Sequence, residues 1–292
     1  MPRPTPATLL ALMLLLGGAA GAADVPAAPA PSQGIKPAEY RTPRGGRVWI
    51  YLPEAAPTNR SLACVLVPPA GSRLFHGMDL SAEDRAEQIP YAQAGFAVVS
   101  FDISGPTSET GDTKALRAAL RAFRAAEYGI RDAFEALALA REKYPQIDRR
   151  RIYVSGHSSA ATLALQIATS TNQVNACVAF APICDLESRL GVDGMATLDR
   201  WVPGTSAGLR EASPKNRVTR MSCPVFLFHA LDDDNVPAET VVAFKNTLLR
   251  NRAKVEYVAV SSGGHYESMI SQGLPKAIQW IRRMDEEFKK EH

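Results

Sequence analysis

The stretch Tyr153-Val154-Ser155-Gly156-His157-Ser158-Ser159-Ala160 decides how the rest of the chain is interpreted. The apolar run at 151–156 predicts a strand buried on both faces, and the Ala- and Leu-rich residues 159–171 predict a helix that begins at once. Gly156 permits a sharp turn between them. The pattern is close to G-x-S-x-G, in which a serine is held exposed at a strand-to-helix bend, with Ala160 in the last position. The alternative is an ordinary turn in which Ser158 caps the helix.

Short apolar runs alternate with amphipathic stretches along the remaining sequence. Apolar runs lie at 62–68, 96–102, 176–181, 224–231 and 254–260, and helical apolar spacing occurs around 130–144, 241–248 and 277–288. This alternation predicts the α/β class, with a mostly parallel central sheet and helices on both faces. Residues 47–53 alternate as an antiparallel edge strand. We expect residues 185–222 to form a short cap insertion over the site.

A serine hydroxyl needs a base to remove its proton, and histidine is the usual one. The chain has five histidines: His76, His157, His229, His265 and His292. In this fold type the base follows both the serine and the acid along the chain. His265 fits, because it lies in a Gly-rich loop directly after the predicted strand 254–260. A loop histidine without a role is the alternative.

The acid must hold the imidazole in the correct tautomer, and candidates follow the predicted strand 224–231. They are Asp232, Asp233 and Asp234. Their position after a strand suits the acid, but spacing alone leaves open which of the three acts.

A family resemblance emerges at this point. The segment His229-Ala230-Leu231-Asp232-Asp233-Asp234-Asn235-Val236 resembles the H-G-x-x-D-x-x-V pattern of prolyl oligopeptidase-like (peptidase S9) catalytic domains. Residues 148–159 resemble the family's D-x-x-R-I…G-x-S run. The likeness covers about residues 62–288 and is shared with dienelactone-hydrolase-like and acyl esterases. It implies the α/β-hydrolase fold and a triad of Ser158, Asp233 and His265, with Asp233 as the acid.

The transition state of acyl transfer also needs donors for an oxyanion. The backbone N–H of Ser159, at the start of the predicted helix, is the first expected donor. The second should come from the loop after residues 62–68, where Pro68 and Pro69 have no N–H. The donor is therefore Ala70, Gly71 or Ser72, of which Gly71 or Ser72 is favoured, and a plain turn is the alternative.

The N-terminal residues indicate an address signal rather than part of the fold. Arg3, an apolar run at 9–16 and small residues to Ala23 match a secretory signal peptide, which predicts a secreted or periplasmic protein. The apolar run is shorter than the roughly 20 residues that span a bilayer, so no stable membrane anchor is expected. The predicted domains are a signal peptide at 1–23, a Pro/Ala-rich linker at 24–44 and one hydrolase domain at 45–292.

Composition excludes some classes of function. The formal net charge is +3, with acidic and basic residues interspersed, so no nucleic-acid surface is indicated. The cysteines are Cys64, Cys177, Cys184 and Cys223, and none forms a C-x-x-C pair, so no metal site is expected. We favour buried thiols, although a Cys177–Cys184 disulfide stays open.

These patterns together predict a serine hydrolase that needs no cofactor and acts on a small-molecule or peptide acyl substrate. An ester hydrolase acting on a small or carbohydrate-linked ester is favoured, because the chain has no room for the N-terminal propeller that restricts substrates in oligopeptidases. A serine peptidase is the second interpretation, and a non-catalytic hydrolase-fold binding protein the third. The sequence leaves the oligomeric state open.

Overall fold

A computed structural model describes residues 35–69, 85–105 and 113–291. Its strands, within these ranges, are β1 (Ala38–Arg41), β2 (Arg47–Tyr51), β3 (Leu62–Leu66), β4 (Ala97–Phe101), β5 (Ile147–His157), β6 (Val174–Phe180), β7 (Val225–Ala230) and β8 (Val255–Val260). They form one eight-stranded sheet in the order β1-β2-β4-β3-β5-β6-β7-β8.

The sheet is parallel from β4 to β8, while β2 pairs antiparallel with both β1 and β4. This confirms the α/β-hydrolase fold expected from the sequence. Consecutive parallel strands require a crossover, and helices supply it. The carboxyl ends of β5, β6, β7 and β8 therefore lie side by side at one end of the strands, the carboxyl edge of the sheet.

Two expectations near the N-terminus were wrong. Residues 47–53 were expected at the edge of the sheet, but β1 pairs outside β2 and takes the edge. β1 itself lies inside the predicted linker 24–44. Its side chains are alternately half-buried and exposed, so the strand lacks the apolar run that marks a buried strand.

The helices are α1 (Ile89–Gln93), α2 (Thr113–Ala125), α3 (Ile130–Lys143), α4 (Ser159–Ala168), α5 (Leu186–Trp201), α6 (Thr205–Ala212), α7 (Ala238–Arg250) and α8 (Leu274–Glu291). The sequence did not assign α1 or α2. In α2 no residue is buried, and its outward face carries only Ala, Lys and Arg. A 3-10 turn at Glu127–Gly129 joins α2 to α3.

Apolar layers cover both faces of the sheet. One contains residues of α3, α4 and α7, such as Leu137, Leu163 and Phe244. The other contains α1 and α8, with Tyr91 and Trp280. Burying side chains of this size stabilises the fold by about 1.5–3 kcal/mol each, so the sheet is fixed on both sides and can hold its carboxyl edge rigidly.

The segment between β6 and β7 forms the cap that the sequence predicted. It consists of α5 and α6, followed by short 3-10 turns at Pro214–Asn216 and Val218–Arg220. Leu186, Leu198 and Leu209 of the cap form a third apolar cluster with Val236 and Val241, which follow β7. The cap is thus packed on the loop at the end of β7.

The four cysteines are buried and free, as favoured from the sequence. Burial raises the pKa of the Cys64 and Cys223 thiols to about 12. Among the described residues, no helix has both the length and the apolar character needed to cross a bilayer.

Candidate active site

Ser158 lies at a strained bend between β5 and α4. Its backbone has φ 57° and ψ −121°, a region that non-glycine residues rarely occupy. A β-carbon at Gly156 would lie 2.8 Å from the amide nitrogen of Ala161, closer than real contacts allow. Only glycine therefore lets strand and helix approach there. The bend is anchored by the N–H of Ser158, which donates to the carbonyl oxygen of Phe180 at 2.9 Å.

His265 and Asp233 are joined by a hydrogen bond at the same edge of the sheet. The His265 Nδ1 lies 2.8 Å from Oδ2 of Asp233. Because a carboxylate only accepts, Nδ1 carries the proton and Nε2 is left as the basic nitrogen. The Asp233 side chain is 1% exposed and that of His265 is 18% exposed. The acid is therefore enclosed, while the imidazole still reaches the solvent-facing site.

The remaining carboxylate oxygen of Asp233 is held by backbone donors. Oδ1 accepts from the N–H groups of Asn235 and Val236, both at 2.9 Å. Burial opposes the charge of this carboxylate, but the bond from His265 and these donors outweigh it and place the pKa of Asp233 below its usual range. Asp233 therefore stays ionised and oriented toward His265.

The other two acid candidates have different positions. The carboxylate of Asp232 accepts from the N–H groups of Gly263 and Gly264, at 3.0 and 2.8 Å. Asp234 is exposed. Of the three adjacent aspartates, Asp233 is thus the one that the structure bonds to the histidine ring. The sequence offered no signal for the contact of Asp232 with the loop, because the contact depends on how two separate loops meet.

Two glycines before His265 give its loop an unusual course. Gly263 and Gly264 have φ 118° and 60°, which side chains rarely adopt. The carbonyl oxygen of Gly263 accepts from the N–H of Ser268 at 2.9 Å, and the Ser268 hydroxyl donates to the carbonyl of Gly264 at 2.6 Å. The loop thus folds back on itself and turns residue 265 toward β5.

His157 connects the serine bend to this loop. Its Nε2 lies 2.9 Å from the carbonyl oxygen of His265, and the two ring centroids are 4.4 Å apart. Since His157 directly precedes Ser158, this contact makes the segment of Ser158 and the loop of His265 neighbours in the fold. Chain order gave no reason to assign His157 to the site, because the base is expected after both the serine and the acid.

The oxyanion donors are described only in part. Ser159 is the first residue of α4, so its N–H belongs to the positive end of a helix that starts at the bend. Gly71 and Ser72 lie outside the described residues, as do His76 and His292. His229 is fully buried within β7.

One cap residue reaches the acid-bearing loop. Arg189 of α5 donates to the carbonyl oxygen and to Oδ1 of Asn235, both at 2.7 Å. Asn235 in turn donates its N–H to Asp233. The cap therefore supports the acid through one intermediate residue.

The arrangement provides a hydroxyl at a strained bend, an imidazole with a free basic nitrogen oriented by a buried carboxylate, and a helix N-terminus beside them. These are the parts needed for nucleophilic acyl transfer. Groups of side chains able to hold a metal do not occur among the described residues.

Comparison with known proteins gives a family match over most of the chain. The model of the prolyl oligopeptidase family matches residues 83–291. No curated protein matches the sequence.

Several solved structures share the fold. A puromycin-hydrolyzing peptidase of Mycobacterium tuberculosis is 20% identical with a TM-score of 0.67, over 85% of this chain and 40% of that one. The acylaminoacyl peptidase of Pyrococcus horikoshii is 18% identical with a TM-score of 0.65, over 87% of this chain and 41% of that one. Dipeptidyl peptidase 4 of Porphyromonas gingivalis is 17% identical with a TM-score of 0.65, over 85% of this chain and 35% of that one. This chain spans well under half the length of each neighbour.

Proposed function

The chain belongs to the prolyl oligopeptidase family of serine hydrolases, and on that premise we propose that it is a serine peptidase acting on short peptides or acylated amino acids. The observation that carries the proposal is the His265–Asp233 hydrogen bond beside the strained bend at Ser158. The preference for an amide substrate is supported by the structural neighbours, which are peptidases. The ester hydrolase favoured from the sequence becomes the second candidate.

The proposed reaction proceeds through an acyl-enzyme. His265 Nε2 takes the proton of the Ser158 hydroxyl as the oxygen attacks the substrate carbonyl, and Asp233 stabilises the imidazolium that forms. The N–H of Ser159 donates to the oxyanion of the tetrahedral intermediate. His265 then gives its proton to the leaving amine, and a water activated by the same ring releases the acid.

A matched pair of substrates separates the two candidates. Activated esters are cleaved by peptidases and esterases alike, so the informative comparison is the p-nitroanilide and the p-nitrophenyl ester of one acylated amino acid. We expect the purified enzyme to turn over both. If a series of such pairs shows ester cleavage only, the chain is an ester hydrolase rather than a peptidase.

The role of Ser158 is tested by Ser158→Ala. Loss of a triad serine lowers kcat by about 10⁶-fold in a comparable enzyme, and labelling by a fluorophosphonate should disappear. Ser159→Ala is the matched control, because it keeps the backbone N–H. Labelling that survives Ser158→Ala would point to another nucleophile or to adventitious reactivity in a binding protein.

Export is a separate proposal, carried by the sequence pattern of residues 1–23, all of which lie outside the described part. N-terminal sequencing of the protein from the periplasm or medium of an expressing bacterium tests it. We expect a mature chain starting after Ala22 or Ala23. A chain that keeps Arg3 and stays with the cytoplasmic fraction contradicts the proposal.

A further inference from the structure

A buried imidazole that the proposed mechanism does not use directly precedes the nucleophile in the chain and packs against the base. His157 is 4% exposed and is the last residue of β5. Its ring packs against the ring of His265 with 4.4 Å between the ring centroids, and it forms a T-shaped contact with the ring of Tyr266 at a centroid distance of 5.8 Å. One residue thus contacts both the side chain and the backbone of His265.

The polar contact has a fixed direction. A carbonyl oxygen can only accept, so the 2.9 Å contact requires that Nε2 of His157 carry a proton and donate to the backbone oxygen of His265. The donor is the last residue of the buried strand β5, directly before Ser158. The acceptor belongs to a loop in which two glycines with positive φ directly precede His265. The bond therefore joins a rigid element to one with high intrinsic backbone freedom.

Three side chains hold the loop around His265 through four hydrogen bonds, and each side chain fixes a different part of the loop. Asp232 fixes the amides of Gly263 and Gly264, Asp233 fixes Nδ1 of the ring, and His157 fixes the carbonyl oxygen. Of these three residues, only His157 belongs to β5, the strand that leads directly into Ser158. Asp232 and Asp233 instead bind the loop to the end of β7, which lies two strands away from β5 in the sheet.

We propose that His157 is a positioning residue that holds His265 in register with Ser158 by donating from Nε2 to the backbone carbonyl of His265. This inference rests on the proposed triad. A displacement of about 1 Å between reacting groups can cost on the order of a hundredfold in rate. The bond acts on geometry between nucleophile and base, so its loss lowers kcat while substrate binding is retained.

The test uses three substitutions at position 157. They separate the effect of ring packing, the effect of the N–H donor and the effect of how far that donor extends from the backbone. His157→Phe keeps the ring packing and removes the donor. His157→Gln carries an amide N–H at about the position of Nε2, whereas the amide of His157→Asn stops near Nδ1. We expect kcat to fall about 10- to 100-fold in the Phe and Asn variants with KM within about threefold, and the Gln variant to recover most of kcat.

The outcomes distinguish this proposal from the proposed function. If Ser158→Ala abolishes turnover while His157→Phe or His157→Asn keeps the wild-type kcat, the positioning role is overturned and the triad stands. If His157→Gln and His157→Asn lose kcat equally, the position of the amide donor does not matter and the proposal is also overturned. Circular dichroism and melting temperature accompany each variant. Should the Phe variant fail to fold, the Gln–Asn comparison decides alone. If Ser158→Ala retains activity, the proposed function itself fails.

Discussion

Oδ1 of Asp232 accepts a hydrogen bond from the backbone N–H of Gly264 at 2.8 Å, one residue before His265. Asp233, the next residue, accepts from the His265 ring. Two adjacent carboxylates thus hold the same loop, one by its backbone and the other by the imidazole. Their different partners predict different consequences when each is replaced.

Asp233→Asn should remove nearly all activity, while Asp232→Asn should reduce it only moderately. An amide at position 233 favours the wrong tautomer of His265, and the equivalent change in a serine protease lowers kcat by about 10⁴-fold. Asp232→Asn keeps an acceptor oxygen for one glycine N–H, so we expect a loss of about tenfold or less. Asp234→Asn, at an exposed position, is the matched control and should resemble the wild type. Steady-state kcat of the three variants checks this. Equal losses for Asn at 232 and 233 would show that the assignment of the acid is wrong.

Gly156→Ala should destabilise the fold, because its β-carbon would meet the backbone of Ala160 and Ala161. Backbone atoms of a buried helix cannot move aside easily, so we expect a loss of about 3 kcal/mol in the free energy of unfolding, together with loss of activity. Gly194→Ala in α5 is the control. There a β-carbon would meet only the β-carbon of Leu190, at 3.5 Å, and alanine favours the helix by up to about 1 kcal/mol. Urea denaturation measures both. A Gly156→Ala protein as stable as Gly194→Ala contradicts the close approach.

Sequence patterns predicted the strands and turns that are marked by residues close together in the chain. The continuous apolar runs gave β3 to β8, and the turn chemistry around Gly156 predicted the bend at Ser158. β1 was missed because a strand of four residues with half-exposed side chains lacks the run of apolar residues on which the prediction depends. Helix α2 has Leu116, Leu120 and Phe123 at helical spacing, and this spacing is the pattern from which the helix can be predicted.

The site could be predicted in its residues but not in all its contacts. Chain order and loop position singled out His265, and the resemblance to the family selected Asp233. The contacts of Asp232 with Gly264 and of Arg189 with Asn235 join segments that are 32 and 46 residues apart. Such pairs depend on how loops meet at the edge of the sheet, which no local pattern encodes. The side chains that support the site therefore become apparent only in the folded structure.

The protein should lose stability as the pH decreases below about 6.5, because His229 is buried in its neutral form. Burial lowers the pKa of this imidazole, and nearby His265 acts in the same direction, while Asp233 and Glu239 oppose it. The unfolded chain, with a histidine pKa near 6.5, then binds a proton that the folded chain resists. Stability is therefore full above the unfolded pKa and declines as the pH falls through it, by at most about 1.4 kcal/mol per pH unit.

His229→Phe should weaken this pH dependence, since phenylalanine fills the buried position without titrating. Melting temperatures of both proteins between pH 8 and 5 provide the measurement, with His265→Phe as the comparison for a partly exposed histidine in the same region. We expect the wild-type curve to fall more steeply than that of His229→Phe below pH 6.5. Parallel curves would assign the acid sensitivity to other groups.

A buried ion pair far from the site should govern stability without affecting the chemistry. Arg151 of β5 donates to both carboxylate oxygens of Asp285 of α8, from Nε at 2.7 Å and from Nη2 at 2.5 Å. The Tyr153 hydroxyl also donates to Asp285 at 2.9 Å. Arg151 precedes Ser158 by seven positions along an extended strand, a separation of about 23 Å. The pair therefore fixes α8 to the sheet at the end opposite the site.

Asp285→Asn should leave the charge of Arg151 buried without a full partner and lower the free energy of unfolding by about 3 kcal/mol. Glu256→Gln is the control, because its pair with Arg283 is exposed and should contribute less than about 1 kcal/mol. Since neither change reaches the carboxyl edge of the sheet, kcat per folded molecule should stay within about twofold of the wild type in both variants. Urea unfolding and active-site titration with a fluorophosphonate give the two quantities. A large fall in kcat for folded Asp285→Asn would mean that α8 transmits strain to the loop of His265, and the separation of stability from chemistry would then be wrong.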